Sequence, residues 1–217
     1  MRIDLPDPSY TASPRAARNL LLAFRLALMF TAGLWVVFLL DHLFHLDLVR
    51  YGLMPRRVAG LIGVLTTPVL HGSFGHLVSN TVPLLVGGTA LLFLYPNSAL
   101  RVFPVLYLGT PLIAWSFARP DLHVGASGLI YGMLAYVFVS GLLRRDARSI
   151  GVSLLIYFLY GSMLYGVVPG RGPMSWELHL SGTLLGVMLA VLYRRWDWPP
   201  RKRYDWDDED GEPPPSG

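Results

Sequence analysis

Residues 125–145 read GASGLIYGMLAYVFVSGLLRR. From Ala126 to Leu143 no side chain is charged, and the run stops at Arg144-Arg145. As a helix rising about 1.5 Å per residue, it is long enough to cross a hydrocarbon core of roughly 30 Å. Yet it opens on Ser127, and a polar group at membrane depth is costly enough to suggest a function.

Runs of the same kind lie on both sides. Before it come Leu20–Phe44, Phe74–Leu94 and Ala99–Phe117; after it come Ile150–Val168 and Ser175–Tyr193. All but the first end on turn-forming or charged residues: Tyr95-Pro96-Asn97, Ala118-Arg119-Pro120-Asp121, Pro169-Gly170-Arg171-Gly172-Pro173 and Arg194-Arg195. Arg25 lies one turn inside the first run, near enough to its end to snorkel toward water. Between the first and second runs, Gly52, Pro55, Gly60, Gly63 and Pro68 interrupt a partly apolar stretch. It reads as a loop lying on, or dipping into, the bilayer surface. The expected fold is an all-α, polytopic six-span membrane bundle over residues 19–195, between segments 1–18 and 196–217.

Composition agrees. Apolar residues make up 53% of the 217-residue chain and charged ones 15%, against about a quarter charged in a soluble domain. The absence of cysteine excludes disulfides and cysteine metal sites. The formal charge of +4 does not point to nucleic acid, because the basic residues cluster between apolar runs, where they report orientation. With the N-terminus inside, twelve lie on the inner side (Arg2, Arg15, Arg18, Arg101, Arg144, Arg145, Arg148, Arg194, Arg195, Arg201, Lys202, Arg203). Five lie outside: Arg50, Arg56, Arg57, Arg119 and Arg171. Both termini are therefore expected in the cytoplasm. The polar, Pro-containing start argues against a cleavable signal peptide. All but one of the basic residues are arginine, as in a GC-rich bacterial genome, which suggests a bacterial inner membrane. The Pro-rich, acidic tail cannot build a core and is expected to be disordered.

Polar residues inside three spans fall at one depth. Ser127 precedes Arg144 by 17 residues, about 25 Å of helix; His179 precedes Arg194 by 15 and Asn80 precedes Tyr95 by 15, each about 22 Å. His76 lies one turn further out. They form a layer several ångströms below the outer surface.

Serine is a weak nucleophile unless a base takes its proton, and neutral imidazole is the usual base. Ser127, with His179, fits that pairing. Because Ser127 opens its helix, its own N–H lacks a helical partner and suits an oxyanion. His76 and Asn80 share a helical face and can add side-chain donors to the same charge. Tyr131, one turn below Ser127, is placed to stack on the His179 ring. No aspartate lies at this depth, so the arrangement is a dyad without a third member. Gly128-x-x-x-Gly132 and Gly182-x-x-x-Gly186 are small-residue ridges that let spans four and six approach.

Other chemistries fit poorly. Asp41 and His45 are too few for a metal site, HExxH is absent, and no span carries a pair of aspartates. No metal or cofactor is expected. His42, His45 and His123 read as interfacial, and His71 as packing at the loop–helix junction.

Gly125-Ala126-Ser127-Gly128 with Tyr131 resembles the nucleophile motif of the rhomboid family. His71-Gly72-Ser73-Phe74-Gly75-His76-Leu77-Val78-Ser79-Asn80 resembles its second-span signature, and His179-x-x-Gly182-x-x-x-Gly186 its sixth-span signature. The resemblance covers residues 20–195. It implies a bacterial-type intramembrane serine endopeptidase with Ser127 and His179 as dyad and His76, Asn80 and the Ser127 amide as oxyanion site. It further implies single-pass or polytopic membrane-protein substrates, cut in the lipid bilayer near the outer end of a helix. Span five and the loop after it would act as a gate. Many relatives carry a Trp-Arg pair in the first outer loop, whereas this chain has Pro55-Arg56-Arg57. A rhomboid-like protein that binds or sorts membrane proteins without cutting them is the alternative. A small-molecule transporter ranks third, since no internal repeat is visible.

Overall fold

A computed structural model of the chain describes residues 14–170 and 174–197. The expected N-terminal segment up to residue 13 and the tail from residue 198 lie outside the described residues. Six principal helices follow in order: α1 Pro14–Phe44, α2 Phe74–Leu94, α3 Pro96–Phe117, α4 Ser127–Arg144, α5 Ala147–Tyr160 and α6 Trp176–Leu192. The described residues contain no β-strand; their one isolated bridge pairs Leu53 with His123.

Helices α1 to α4 are long and apolar enough to cross a membrane, while α5 and α6 are apolar and shorter, at 14 and 17 residues. The first four differ in burial. In α4, 61% of the apolar window is buried, against 22% in α1. Helix α4 packs against α2, α3, α5 and α6, while α1 packs on α2. Their outward faces carry exposed Leu22, Met29, Leu100, Leu155, Phe158 and Leu192, a belt that hydrocarbon would cover. Pro83 lies within α2, and Pro104 and Pro111 within α3, a pattern that membrane helices tolerate.

The approach of α4 to α6 is set by missing side chains. A Cβ at Gly182 would stand on the carbonyl oxygen of Gly128, and one at Gly186 on that of Gly132. The two glycine ridges read from the sequence thus face one another, which brings the helix carrying Ser127 against the helix carrying His179.

The fifth apolar run departs from expectation. It does not continue as one helix to Val168: α5 stops at Tyr160, and a 3-10 segment spans Gly161–Val167. Gly161 and Gly166 weaken the α conformation here, at about 1 kcal/mol each relative to alanine, and Pro169 follows.

The loop between α1 and α2 is a folded clamp. Helical turns occupy Leu48–Tyr51, Val58–Ile62, Gly63–Thr66 and Thr67–Val69. The Thr67 hydroxyl accepts from the Leu53 N–H (3.0 Å) and donates to the His123 carbonyl (3.2 Å). The Gly125 N–H donates to the Thr67 carbonyl at 2.9 Å. Arg56 donates to the Ala118 carbonyl at 2.6 Å, and the Trp115 indole donates to the Arg57 carbonyl at 3.1 Å. The indole absent from this loop is thus met by one from α3.

At the other end of the bundle, Asp197 caps α3. Its carboxylate accepts from the Asn97 N–H (2.9 Å), the Ser98 N–H (3.1 Å) and the Ser98 hydroxyl. Trp196 packs under the Arg101 guanidinium, 4.2 Å from the ring centre. The first two residues of the expected tail therefore pack against α3.

Candidate active site

Ser127 opens α4 after a sharp turn. Gly125 has φ +116°, a conformation L side chains rarely adopt, and a Cβ there would collide with the His76 imidazole. The turn sets the Ser127 side chain and its first-turn N–H at the helix's positive end.

The Ser127 Oγ lies 2.9 Å from Nε2 of His179. Nδ1 of the same ring lies 2.9 Å from the carbonyl oxygen of Gly166. A carbonyl only accepts, so Nδ1 carries the proton and Nε2 presents its lone pair to the serine. The ring is clamped on its face by Tyr131, parallel within 5° at a centroid distance of 4.1 Å. Gly166 must lack a side chain, because a Cβ would overlap the Tyr131 hydroxyl. Its carbonyl is available because the chain leaves the α conformation before it.

Across the cavity, Asn80 is buried in α2 and His76 is half-buried one turn earlier. The Ser73 hydroxyl caps α2 by accepting from the His76 N–H at 3.2 Å. Ser127, Tyr131, His179, His76 and Asn80 all line one cavity of about 730 Å³. Leu122, Val124, Leu159, Tyr160, Met174 and Ser175 are also among its walls. A pocket that holds a serine hydroxyl against an imidazole of fixed tautomer, with further polar side chains opposite, has the geometry that acyl transfer requires.

Several partners were not anticipated from the sequence. Glu177, two residues before His179, is 1% exposed. Its carboxylate accepts from Arg119 Nε (2.6 Å) and the Arg119 N–H (3.2 Å). The same guanidinium donates to the carbonyls of Gly170 (3.2 Å) and Met174 (2.9 Å), which flank residues 171–173. Glu177 therefore anchors the connection and does not touch the His179 ring as a third triad member. His123, expected at an interface, is 1% exposed, with Nδ1 2.7 Å from the Ser175 hydroxyl. A lone acidic residue opening an apolar run, two positions before His179, was the available signal for Glu177; the Gly166 carbonyl, a backbone group, has none. Asp41 accepts from the Leu48 N–H at 2.9 Å, and among the described residues no group of three His, Asp or Glu is placed to hold a metal.

The family model for the Rhomboid domain matches residues 59–196. A protein of Mycobacterium tuberculosis is 38% identical over 174 residues, covering 76% of this chain and 72% of its own length. One of Mycobacterium leprae is 34% identical over 202 residues, covering 87% and 80%. Both are described only as uncharacterized. With apolar helices of membrane-spanning length around a buried α4, this chain belongs to the rhomboid family of integral membrane proteins.

Proposed function

We propose that the protein is an intramembrane serine endopeptidase that cleaves transmembrane proteins near the outer end of their helices. The observation that carries this reading is the 2.9 Å contact between Ser127 Oγ and His179 Nε2, with Nδ1 held by the Gly166 carbonyl. Ser127 attacks the scissile carbonyl while His179 takes its proton and then delivers it to the leaving amine. The developing oxyanion is met by the Ser127 N–H and by His76 and Asn80 from the opposite wall. Water entering the cavity then hydrolyses the acyl-enzyme through the same imidazole. Gly125, Gly128, Gly182 and Gly186 support the dyad by allowing close approach, and Tyr131 by stacking on the base.

In this reading all six helices span the bacterial inner membrane, with both termini in the cytoplasm as the basic residues imply. Residues 19–195 form the protease domain, and 1–18 and 196–217 are cytoplasmic segments. The reaction uses no cofactor or metal.

Fluorophosphonate labelling of the purified protein tests the reading, with Ser127→Ala as control. Labelling that depends on Ser127 and His179 supports it. A folded wild type that neither labels nor cuts would favour a non-proteolytic binding or sorting factor.

A further inference from the structure

The amide of Asn80 can donate to an oxyanion only if its nitrogen faces the cavity. An asparagine side chain turns freely about its last torsion, so some neighbour must hold it. That neighbour is His71. Its Nε2 lies 3.0 Å from Asn80 Nδ2, and the two side chains are 3% and 5% exposed. The same amide nitrogen is 3.6 Å from where a Cβ would stand on Gly125, in the turn that leads to Ser127.

An amide nitrogen carries two hydrogens about 120° apart. With one directed at the bare Nε2 of His71, the other is left for the Ser127 side of the cavity. The bond requires His71 to accept and therefore to be neutral. Burial, helped by the adjacent His76 imidazole, pushes the His71 pKa down to about 4. A protonated ring would instead force the amide to present its oxygen to His71 and turn its nitrogen away.

We propose that His71 is a positioning residue for the oxyanion site: by accepting one hydrogen of the Asn80 amide, it aims the other at the developing charge. The proposal rests on the proteolytic reading and on a donor role for Asn80. His71 is not a catalytic residue, since it reaches the reacting atoms only through Asn80.

The test is a mutant cycle read as kcat on a fluorescent single-pass transmembrane substrate, with thermal stability recorded in parallel. His71→Gln keeps an acceptor oxygen at the end of a chain of suitable length. His71→Met has similar length and lacks that acceptor, and His71→Phe serves in its place if the methionine variant does not fold. Removing one oxyanion donor costs roughly 10²–10³ in kcat, which is the ceiling for the His71→Met loss. His71→Met should lower kcat toward that of Asn80→Ala with KM little changed, and His71→Gln should recover most of the loss. In an Asn80→Ala background, His71→Met should cost nothing more. The same fold-loss with and without Asn80, or full kcat in folded His71→Met, would overturn the positioning role and leave the protease reading intact. If Asn80→Ala itself retains full kcat, the donor role falls and this proposal falls with it. Cleavage by folded Ser127→Ala would remove the proteolytic reading altogether.

Discussion

The carbonyl oxygen of Gly166 accepts from Nδ1 of His179 at 2.9 Å, so a residue beyond the end of α5 fixes which nitrogen of the imidazole faces Ser127. The link exists because the chain leaves the α conformation at Gly161: in a continued helix that carbonyl would be engaged by the N–H four residues on. Orientation of the imidazole and the path of the Gly161–Val167 segment are thus one structural fact. Gly166→Ala would drive a methyl group into the Tyr131 hydroxyl. It should displace the ring or the carbonyl and lower kcat by about 10²-fold, the order expected of a misplacement near 1 Å. Single-turnover kinetics on a transmembrane substrate would check this, and an unchanged rate would mean that the methyl group is accommodated without moving the ring or the carbonyl.

Ser127→Ala and His179→Ala should each reduce cleavage to background while the protein stays inserted and folded. Because proton transfer needs both groups, the double variant should be no worse than either single one. Additive losses in kcat would show that the two act separately.

The seam between α4 and α6 should be the part of the bundle least tolerant of volume. Inserting methyl groups into a packed core typically costs 1–3 kcal/mol. Here the obstacle to a Cβ at Gly182 is the Gly128 backbone, which cannot rotate away. Gly182→Val should therefore separate the helices, lengthen the Ser127–His179 contact, and lower both melting temperature and fluorophosphonate labelling. Valine at Gly151, where nothing lies within 4 Å of a Cβ, is the control and should label normally.

Arg119 and Glu177 should be coupled in stability. Breaking a fully buried ion pair by removing one partner costs about 3–5 kcal/mol, and less here because the Arg119 side chain keeps 30% of its surface exposed. Arg119→Ala should lower the melting temperature in detergent, because it leaves the Glu177 carboxylate buried. Glu177→Gln in that background should restore part of the loss, since a neutral amide is cheaper to bury. If the double variant melts below both single ones, the pair is not a unit.

A pH effect follows from His71. Its folded pKa of about 4 lies below the ordinary value of 6.5, so between these values the unfolded chain takes up a proton that the folded one refuses. The neutral ring's contribution to stability is complete above about pH 6.5 and is lost progressively as pH falls toward 4. Thermal melts across that window should show a steeper acid decline for wild type than for His71→Gln. Parallel curves would mean that His71 titrates normally.

The parts of this fold that could be read from the sequence are those written in side-chain pattern. Apolar runs located α2, α3, α4 and α6 to within three residues, whereas α1 begins at Pro14, ahead of its run, and α5 ends at Tyr160, well short of Val168; the two glycine ridges pointed to the seam that α4 and α6 form. Ser127, His179 and Tyr131 could be gathered because helical spacing puts each at a computable depth. What escaped was carried by backbone or by distant pairing. The Gly166 carbonyl has no side-chain signature, and its freedom depends on where α5 ends, a balance of about 1 kcal/mol per glycine. Arg119 and Glu177 are 58 positions apart and meet only once α3 and α6 pack. His123 looked interfacial as a lone histidine near a span end, yet its partners, the Ser175 hydroxyl and the Arg119 carbonyl, let it be buried.

The position of the cut in a substrate tests the whole arrangement. Hydrolysis needs water, and in the proposed orientation Ser127, about 25 Å along its helix from Arg144, would lie below the outer face of a core roughly 30 Å thick. The cavity that reaches it is lined by Leu122 and Val124 before α4 and by Met174 and Ser175 before α6. Non-helical backbone is tolerated at such depth only where protein or water satisfies it, which these walls provide. A substrate helix hides its carbonyls in its own hydrogen bonds and must unwind before Ser127 can attack. Glycine or proline near the outer end of a substrate helix should therefore raise the cleavage rate, and a leucine-rich end should resist. Small residues should be preferred beside the scissile bond, because His76, Asn80 and Tyr131 line the cavity that Ser127 opens onto. Mass spectrometry of the products would locate the bond. Cleavage at the cytoplasmic end, or equal cutting of the rigid helix, would contradict both the orientation and the unwinding step.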